Sequence, residues 1–168
     1  EARALSEKHA LQGVLFYAIC RLRTEECVNM SEVDLQMRML SKDIKIKKKN
    51  AAAIADILNL TRILDAEGYD SCVLKGQGLG MIYPQGMQRM SGDIDIWVAR
   101  KGKIAPLAER RRDIVSLCRR VVGNRPVCYH HTHLPVQGKD IEVHFTPSWM
   151  CAPWHNAKLQ RFFEEEWE

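Results

Sequence analysis

Asp93 and Asp95 alternate with Ile94, Ile96 and Val98, and this short run constrains the fold more than any other. A period of two is the mark of an extended strand, because successive side chains leave opposite faces of the backbone. The two carboxylates therefore share one face, about 6.6 Å apart along the strand, and the branched residues turn into a core. Glu142 has the same setting on a later run, between Ile141 and Val143. If the two strands lie side by side, three acids converge on one face.

Carboxylates so placed repel one another unless a cation or hydrogen-bond donors compensate. A pair of Mg²⁺ ions about 3.5–4 Å apart would do so, since hard cations take oxygen ligands and bridge to phosphate oxygens. The bland alternative is an Asp-x-Asp pair arising by chance and solvated at a sheet edge. Upstream, Lys75 and the glycines Gly76, Gly78 and Gly80 form a turn whose backbone N–H groups can approach a polyphosphate. A tight strand-to-helix turn would use the same glycines. Arg89 has the fork geometry to grip phosphate or carboxylate, and an ion pair with Asp93 or Asp95 is drawn as easily.

The 168 residues suffice for one ordinary domain, or one domain with a helical extension. With 46% apolar and 27% charged residues the composition is that of a folded globular chain and argues against disorder. The longest apolar run, from Gly13 to Cys20, is too short for a membrane span and is followed by Arg21 and Arg23. The N-terminus lacks the order of a signal peptide. These features lead to the expectation of a cytoplasmic protein without a membrane partner. The chain starts at Glu1 and stops inside an acidic, aromatic, helix-like stretch, Phe162 to Glu168, which reads as a fragment with a further C-terminal domain missing. Cys20, Cys27, Cys72, Cys118, Cys128 and Cys151 form no C-x-x-C pair, so the cysteine spacing argues for free thiols and against zinc.

Helical signals fill the first third. Ser6 is placed to cap a helix running to Leu22, and Ser31 with Asp34 resembles a capping pair for a second helix through Leu40. A lysine-rich patch, Lys42 to Lys49, then leads into a third helix that Gly68 stops. From Tyr69 the pattern changes. A strand over 71–74, the glycine turn and a short helix ended by Pro84 and Gly86, the strand at 93–98, and an amphipathic helix over 104–122 follow. Two strands, 127–134 and 141–145, then form a hairpin turned by Gly138. The expected class is α+β: a small mixed sheet backed by helices, with an N-terminal helical extension. The domain reading is a helical region at 1–66, a catalytic core at 67–150, and an aromatic, acidic segment at 151–168.

The order Val73-Leu74-Lys75-Gly76, Tyr83-Pro84, Arg89, Gly92-Asp93-Ile94-Asp95-Ile96 resembles the L-K-G, Y-P, R, G-D-I-D signature of an uncharacterised bacterial nucleotidyltransferase family. That family belongs to the polymerase-β-like superfamily. His130-His131 followed by Ile141-Glu142-Val143-His144 is similar to its downstream segment, and the likeness spans about residues 63–146. The resemblance implies a nucleotidyltransferase fold, an NTP such as ATP as donor, and two Mg²⁺ ions, with Mn²⁺ as a substitute. Asp93 and Asp95 match the metal-binding pair, Glu142 the third acid, and Lys75, Gly76, Gly78 and Arg89 the nucleotide-binding positions. A Lys-Gly turn stands where the wider superfamily has Gly-Ser, and it lies further from the aspartates than is usual there. The acceptor is left open: an RNA end, a small molecule or a protein side chain.

His131 and His133 are expected on one strand face and His130 on the other. Their readings are a transition-metal site, substrate binding, orientation of a carboxylate, or surface packing. His144 shares the face of Glu142 and is expected to support it. The net charge is +4, with nine Lys or Arg between Arg100 and Arg125 and a run of glutamates at the C-terminus, which points to an anionic partner. The arginines of the 104–122 helix read as a solvated face, or as a surface for RNA. Trp149, Trp154, Phe162, Phe163 and Trp167 either cap the sheet or meet the missing part of the protein. Two other functions stay open beside nucleotidyl transfer: a catalytically silent nucleotide-binding module with a regulatory or interaction role, and an RNA-binding domain.

Overall fold

The computed structural model describes residues 2–24, 33–84, 88–90, 92–102, 104–136 and 139–167. Among them are six helices and four strands: α1 (Ala2–Lys8), α2 (Gln12–Thr24), α3 (Val33–Ala66), β1 (Tyr69–Val73), α4 (Lys75–Gly80), β2 (Ile94–Arg100), α5 (Leu107–Val122), β3 (His131–Val136), β4 (Lys139–His144) and α6 (Pro153–Glu165). This is the expected mixed α+β class. The residues fall into two compact units, Glu1–Ala55 with Gly76–Gly92, and Asp56–Lys75 with Asp93–Glu168.

The first unit corrects the helix boundaries. The single helix expected from Ser6 to Leu22 is two, α1 and α2, broken where Ala10 takes a φ of +54°, a conformation uncommon for a residue with a Cβ. Ser6 caps nothing. It sits buried inside α1, and its hydroxyl donates to the Arg3 carbonyl at 2.8 Å. The second and third expected helices are one, the 34-residue α3, which absorbs the lysine patch. Lysine is a good helix former, and within α3 Lys47 pairs with buried Asp43 at 2.8 Å while Lys42 pairs with Glu7 of α1. The patch is thus partly neutralised within its own unit. Ser31, Gly86, Gly138 and Cys27 lie outside the described residues, so the cap, helix stop, hairpin turn and thiol assigned to them do too. Gly68, with a φ of +84°, ends α3 as expected and donates its N–H to the Asp65 carbonyl.

The second unit holds the sheet, ordered β1-β2-β4-β3. β1 pairs antiparallel with β2, β2 parallel with β4, and β4 antiparallel with β3. A parallel pair cannot be closed by a hairpin, and α5 provides much of the crossover between β2 and β4. Pro135 interrupts no central ladder because β3 is an edge strand. The hairpin partner of β4 begins later than expected, at His131, although Val127 still bridges to Thr132.

Directly paired residues share a face, so the register sorts the side chains. One face carries Ile94, Ile96, Val98, Ile141, Val143 and Leu134, all buried. There Tyr69 donates to Asp113 of α5 at 3.1 Å, Ser71 to Thr61 of α3 at 3.5 Å, and the Arg111 guanidinium lies over the Phe145 ring. The opposite face carries Asp95, Trp97 and Ala99 on β2, and it is buried as well. Part of its cover comes from the aromatic tail: Phe163 and Trp167 meet Trp97 edge-on at 6.0 and 4.2 Å between ring centroids. Those two rings cap the sheet, while Trp154 and Phe162 stay exposed.

The arginine face of α5 is not uniformly solvated. Arg110 is only 3% exposed and meets Glu164 of α6 at 3.5 Å, with its other nitrogens unpartnered. Burial pulls its pKa down, and Glu164 opposes that shift. A buried charge with one distant partner costs more to orphan than to replace. Glu164→Gln is expected to lower stability by about 1–2 kcal/mol, less than a fully buried pair because Glu164 is 36% exposed. Arg110→Met, which removes the charge and keeps the volume, is expected to be neutral or stabilising, and urea unfolding of both variants measures the order.

Candidate active site

The parallel register sets Asp95 directly opposite Glu142 and Trp97 opposite His144. Across the hairpin, His133 faces Glu142 and His131 faces His144. Two carboxylates and three imidazoles therefore line one face of three adjacent strands. His144 Nε2 lies 3.1 Å from Asp95 Oδ1 and 3.4 Å from Glu142 Oε2. Lys75, one residue beyond the Leu74 N–H that bonds the Asp95 carbonyl, donates from Nζ to Asp95 Oδ1 at 3.1 Å. Coordinating atoms of Asp95, Glu142 and His144 all lie within 4.8 Å of one another.

This crowding sets the charges. Burial works against the Asp95 carboxylate, but the Lys75 ammonium and then His144 outweigh it and hold the group below the usual carboxylate range. Glu142 is pushed the other way, first by burial and then by the negative charge of Asp95. Burial, helped by the neighbouring histidines, drives His144 down to about 4 against the pull of Asp95. At neutral pH His144 is then an uncharged imidazole that donates from Nε2 to a carboxylate, leaving its buried Nδ1 without a partner. His130 and His131 are also lowered, in each case mainly by burial.

Asp93 stands in the bend one residue before β2 and is exposed, whereas Asp95 is buried. The two were expected on one strand. β2 begins between them, and among the described residues the converging ligand group holds Asp95, Glu142 and His144. Gly76, Gly78 and Arg89 belong to the first unit. The glycines are not a loop ahead of a helix, as expected, but lie within α4, where Gly76 departs from helical geometry with a φ of +32°. Such a positive φ suits glycine, and Arg89 Nη1 donates to the Gly76 carbonyl at 3.1 Å.

His131 and His133 share a face as expected. His130 does not take the opposite one: it precedes β3, free of the strand alternation, and its ring lies 4.6 Å from His131 and 5.2 Å from His144. The close engagement of His144 with Asp95 went beyond the sequence reading, which placed it only on the face of Glu142. The spacing of both pairs was visible, but the strand register that joins them was not.

The family model of the uncharacterised nucleotidyltransferases matches residues 1–168, and the chain belongs to that family. Comparison with curated proteins and with solved structures gives no significant match. Among the described residues no helix is long and apolar enough to cross a membrane.

A raised Glu142 pKa has a stability consequence with a definite sign. A carboxyl whose folded pKa exceeds its unfolded value favours folding only at low pH, and that contribution is lost as pH rises through the folded value. Without metal at pH 7, Glu142→Gln is therefore expected to stabilise the protein by about 0.5–1 kcal/mol, raising Tm by about 2 °C. The advantage should vanish below the carboxylate range. Differential scanning calorimetry across pH checks both the sign and the trend.

Proposed function

We propose that this chain transfers a nucleoside monophosphate from an NTP to a hydroxyl-bearing acceptor, with divalent cations held by Asp95 and Glu142 and completed by Asp93. The observation that carries the reading is the pairing of Asp95 with Glu142 across parallel strands, with a lysine ammonium already drawn to Asp95. A site that raises one carboxyl first by burial and then by the charge of the next is a site a cation relieves. The donors fit: carboxylate oxygens suit Mg²⁺ or Mn²⁺, and His144 steadies Asp95 with a hydrogen bond to its Oδ1. Held there, divalent cations would supply Lewis-acid chemistry, offsetting triphosphate charge and lowering the pKa of the acceptor hydroxyl.

The protein groups have separable tasks. Lys75 neutralises Asp95 in the absence of ligand and is a mobile point charge for phosphate once the cation takes its place. Glu142 is also assigned the task of accepting the proton of the attacking hydroxyl. Gly76, Gly78 and Arg89 are assigned to phosphate on the motif resemblance, with Tyr83-Pro84 between them. The acceptor is a small molecule, an RNA end or a protein hydroxyl. A cytoplasmic setting suits Cys72, Cys128 and Cys151, which are exposed free thiols among the described residues.

Incubation of wild type and Asp95→Asn with each labelled NTP, Mg²⁺ or Mn²⁺ and cell extract tests the proposal. Losing one metal-holding carboxylate should cost about 3 kcal/mol of transition-state stabilisation, or roughly a hundredfold in rate. Label transferred only by wild type supports the reading and exposes the acceptor. Undiminished transfer by Asp95→Asn overturns the site. Nucleotide binding without transfer by wild type points instead to the catalytically silent module.

A further inference from the structure

Three side chains beside the carboxylates belong to none of the roles above. Cys128 Sγ and one ring nitrogen each from His131 and His133 all lie within 4.8 Å of one another. The local chain explains why. His131 and His133 are two apart on β3 and so leave the same face, their rings 5.1 Å apart at 83°. Residues 128–130 fold back on the strand, fastened where the Cys128 N–H donates to the His131 carbonyl at 2.9 Å. The bridge between Val127 and Thr132 closes the same turn. A thiol far from every other cysteine in sequence is thereby brought onto two imidazoles.

We propose that Cys128, His131 and His133 bind a borderline-soft transition-metal ion, Zn²⁺ in the first instance, at a site of their own that adjoins Glu142 of the carboxylate pair. Thiolate and imidazole are the donors such an ion selects, whereas Mg²⁺ prefers oxygen. His133 carries the outer support that metal-binding histidines use: Asp140 Oδ2 lies 2.7 Å from its Nδ1, which fixes that nitrogen as the hydrogen donor and leaves Nε2 bare. His131 Nδ1 is buried without a hydrogen bond, its nearest acid being Glu142 with Oε2 at 3.7 Å, the state expected of a nitrogen in need of a ligand. An entry path exists because Cys128 is exposed. The neighbouring trio of His130, His131 and His144 is the poorer candidate. His144 is fully buried and its Nε2 is engaged by both carboxylates. Three protein ligands leave a fourth position for water or a further donor.

Cobalt reports the ligands directly, since a Co²⁺–thiolate bond gives a near-ultraviolet charge-transfer band that imidazole and carboxylate do not. Purified, metal-stripped protein is titrated with Co²⁺ and then with Zn²⁺ as competitor. One equivalent of Co²⁺ should produce the band, and Zn²⁺ should abolish it. Cys128→Ser should lose the band, while Asp95→Asn should keep it, which separates this site from the proposed catalytic one. Asp140→Asn should bind about ten- to a hundredfold more weakly. Absence of a thiolate band in wild type, or its survival in Cys128→Ser, overturns the proposal. Because the readout is spectroscopic, it stands whether or not nucleotidyl transfer is observed.

Discussion

Asp95 lies opposite Glu142 in the parallel pairing of β2 with β4, and much of the second unit serves to hold that repulsive contact in place. Ile94, Ile96, Ile141 and Val143 bury the reverse face, so a one-residue slip of either strand would expose that core and bury charge. Burial supplies the force that keeps the two acids together, and Lys75 and His144 blunt the cost without removing it. The opposite pKa directions of Asp95 and Glu142 are the residue of that unfinished compensation. Strain of this kind, left at one place by an otherwise consistent fold, is the feature on which the proposed cation site rests.

Where the pattern was local, the sequence announced the structure. Alternation around Asp95 gave β2, Gly68 ended α3, and the apolar stripe of the 104–122 run gave α5, starting a little later than the pattern suggested. Where the outcome depended on longer-range structure or on unpatterned backbone, it was missed. Ala10 breaks the helix expected from Ser6, because a positive φ leaves no mark in periodicity. The lysine patch read as an interruption, yet its side chains pair within α3 and with α1 and let the helix run on. Arg110 looked solvated beside its neighbours, and only packing against α6 shows it buried.

The site was legible to the same extent. Asp95 and Glu142 could be nominated from their flanking apolar residues, but their adjacency required the strand order β1-β2-β4-β3. Asp93 was paired with Asp95 by spacing, and the structure separates them in setting: one exposed before the strand, the other buried within it. His130 escaped the alternation because alternation holds only inside a strand. Cysteine spacing argued against zinc, and it is the turn onto β3, invisible in that spacing, that brings Cys128 to two histidines. Membership of the nucleotidyltransferase family bounds the chemistry, while the acceptor is a property of the site that fold kinship does not supply.

We propose that Asp95 and Glu142 act as one cation-binding pair. Calorimetric titration of Mn²⁺ into the protein with a non-hydrolysable NTP analogue present tests it most directly, comparing wild type with Glu142→Gln and with Asp95→Asn. Either substitution should weaken binding at least tenfold, and the double variant should lose little more than the worse single one, as expected for groups acting together. Unchanged Mn²⁺ affinity in both single variants would show that the two acids hold no shared cation.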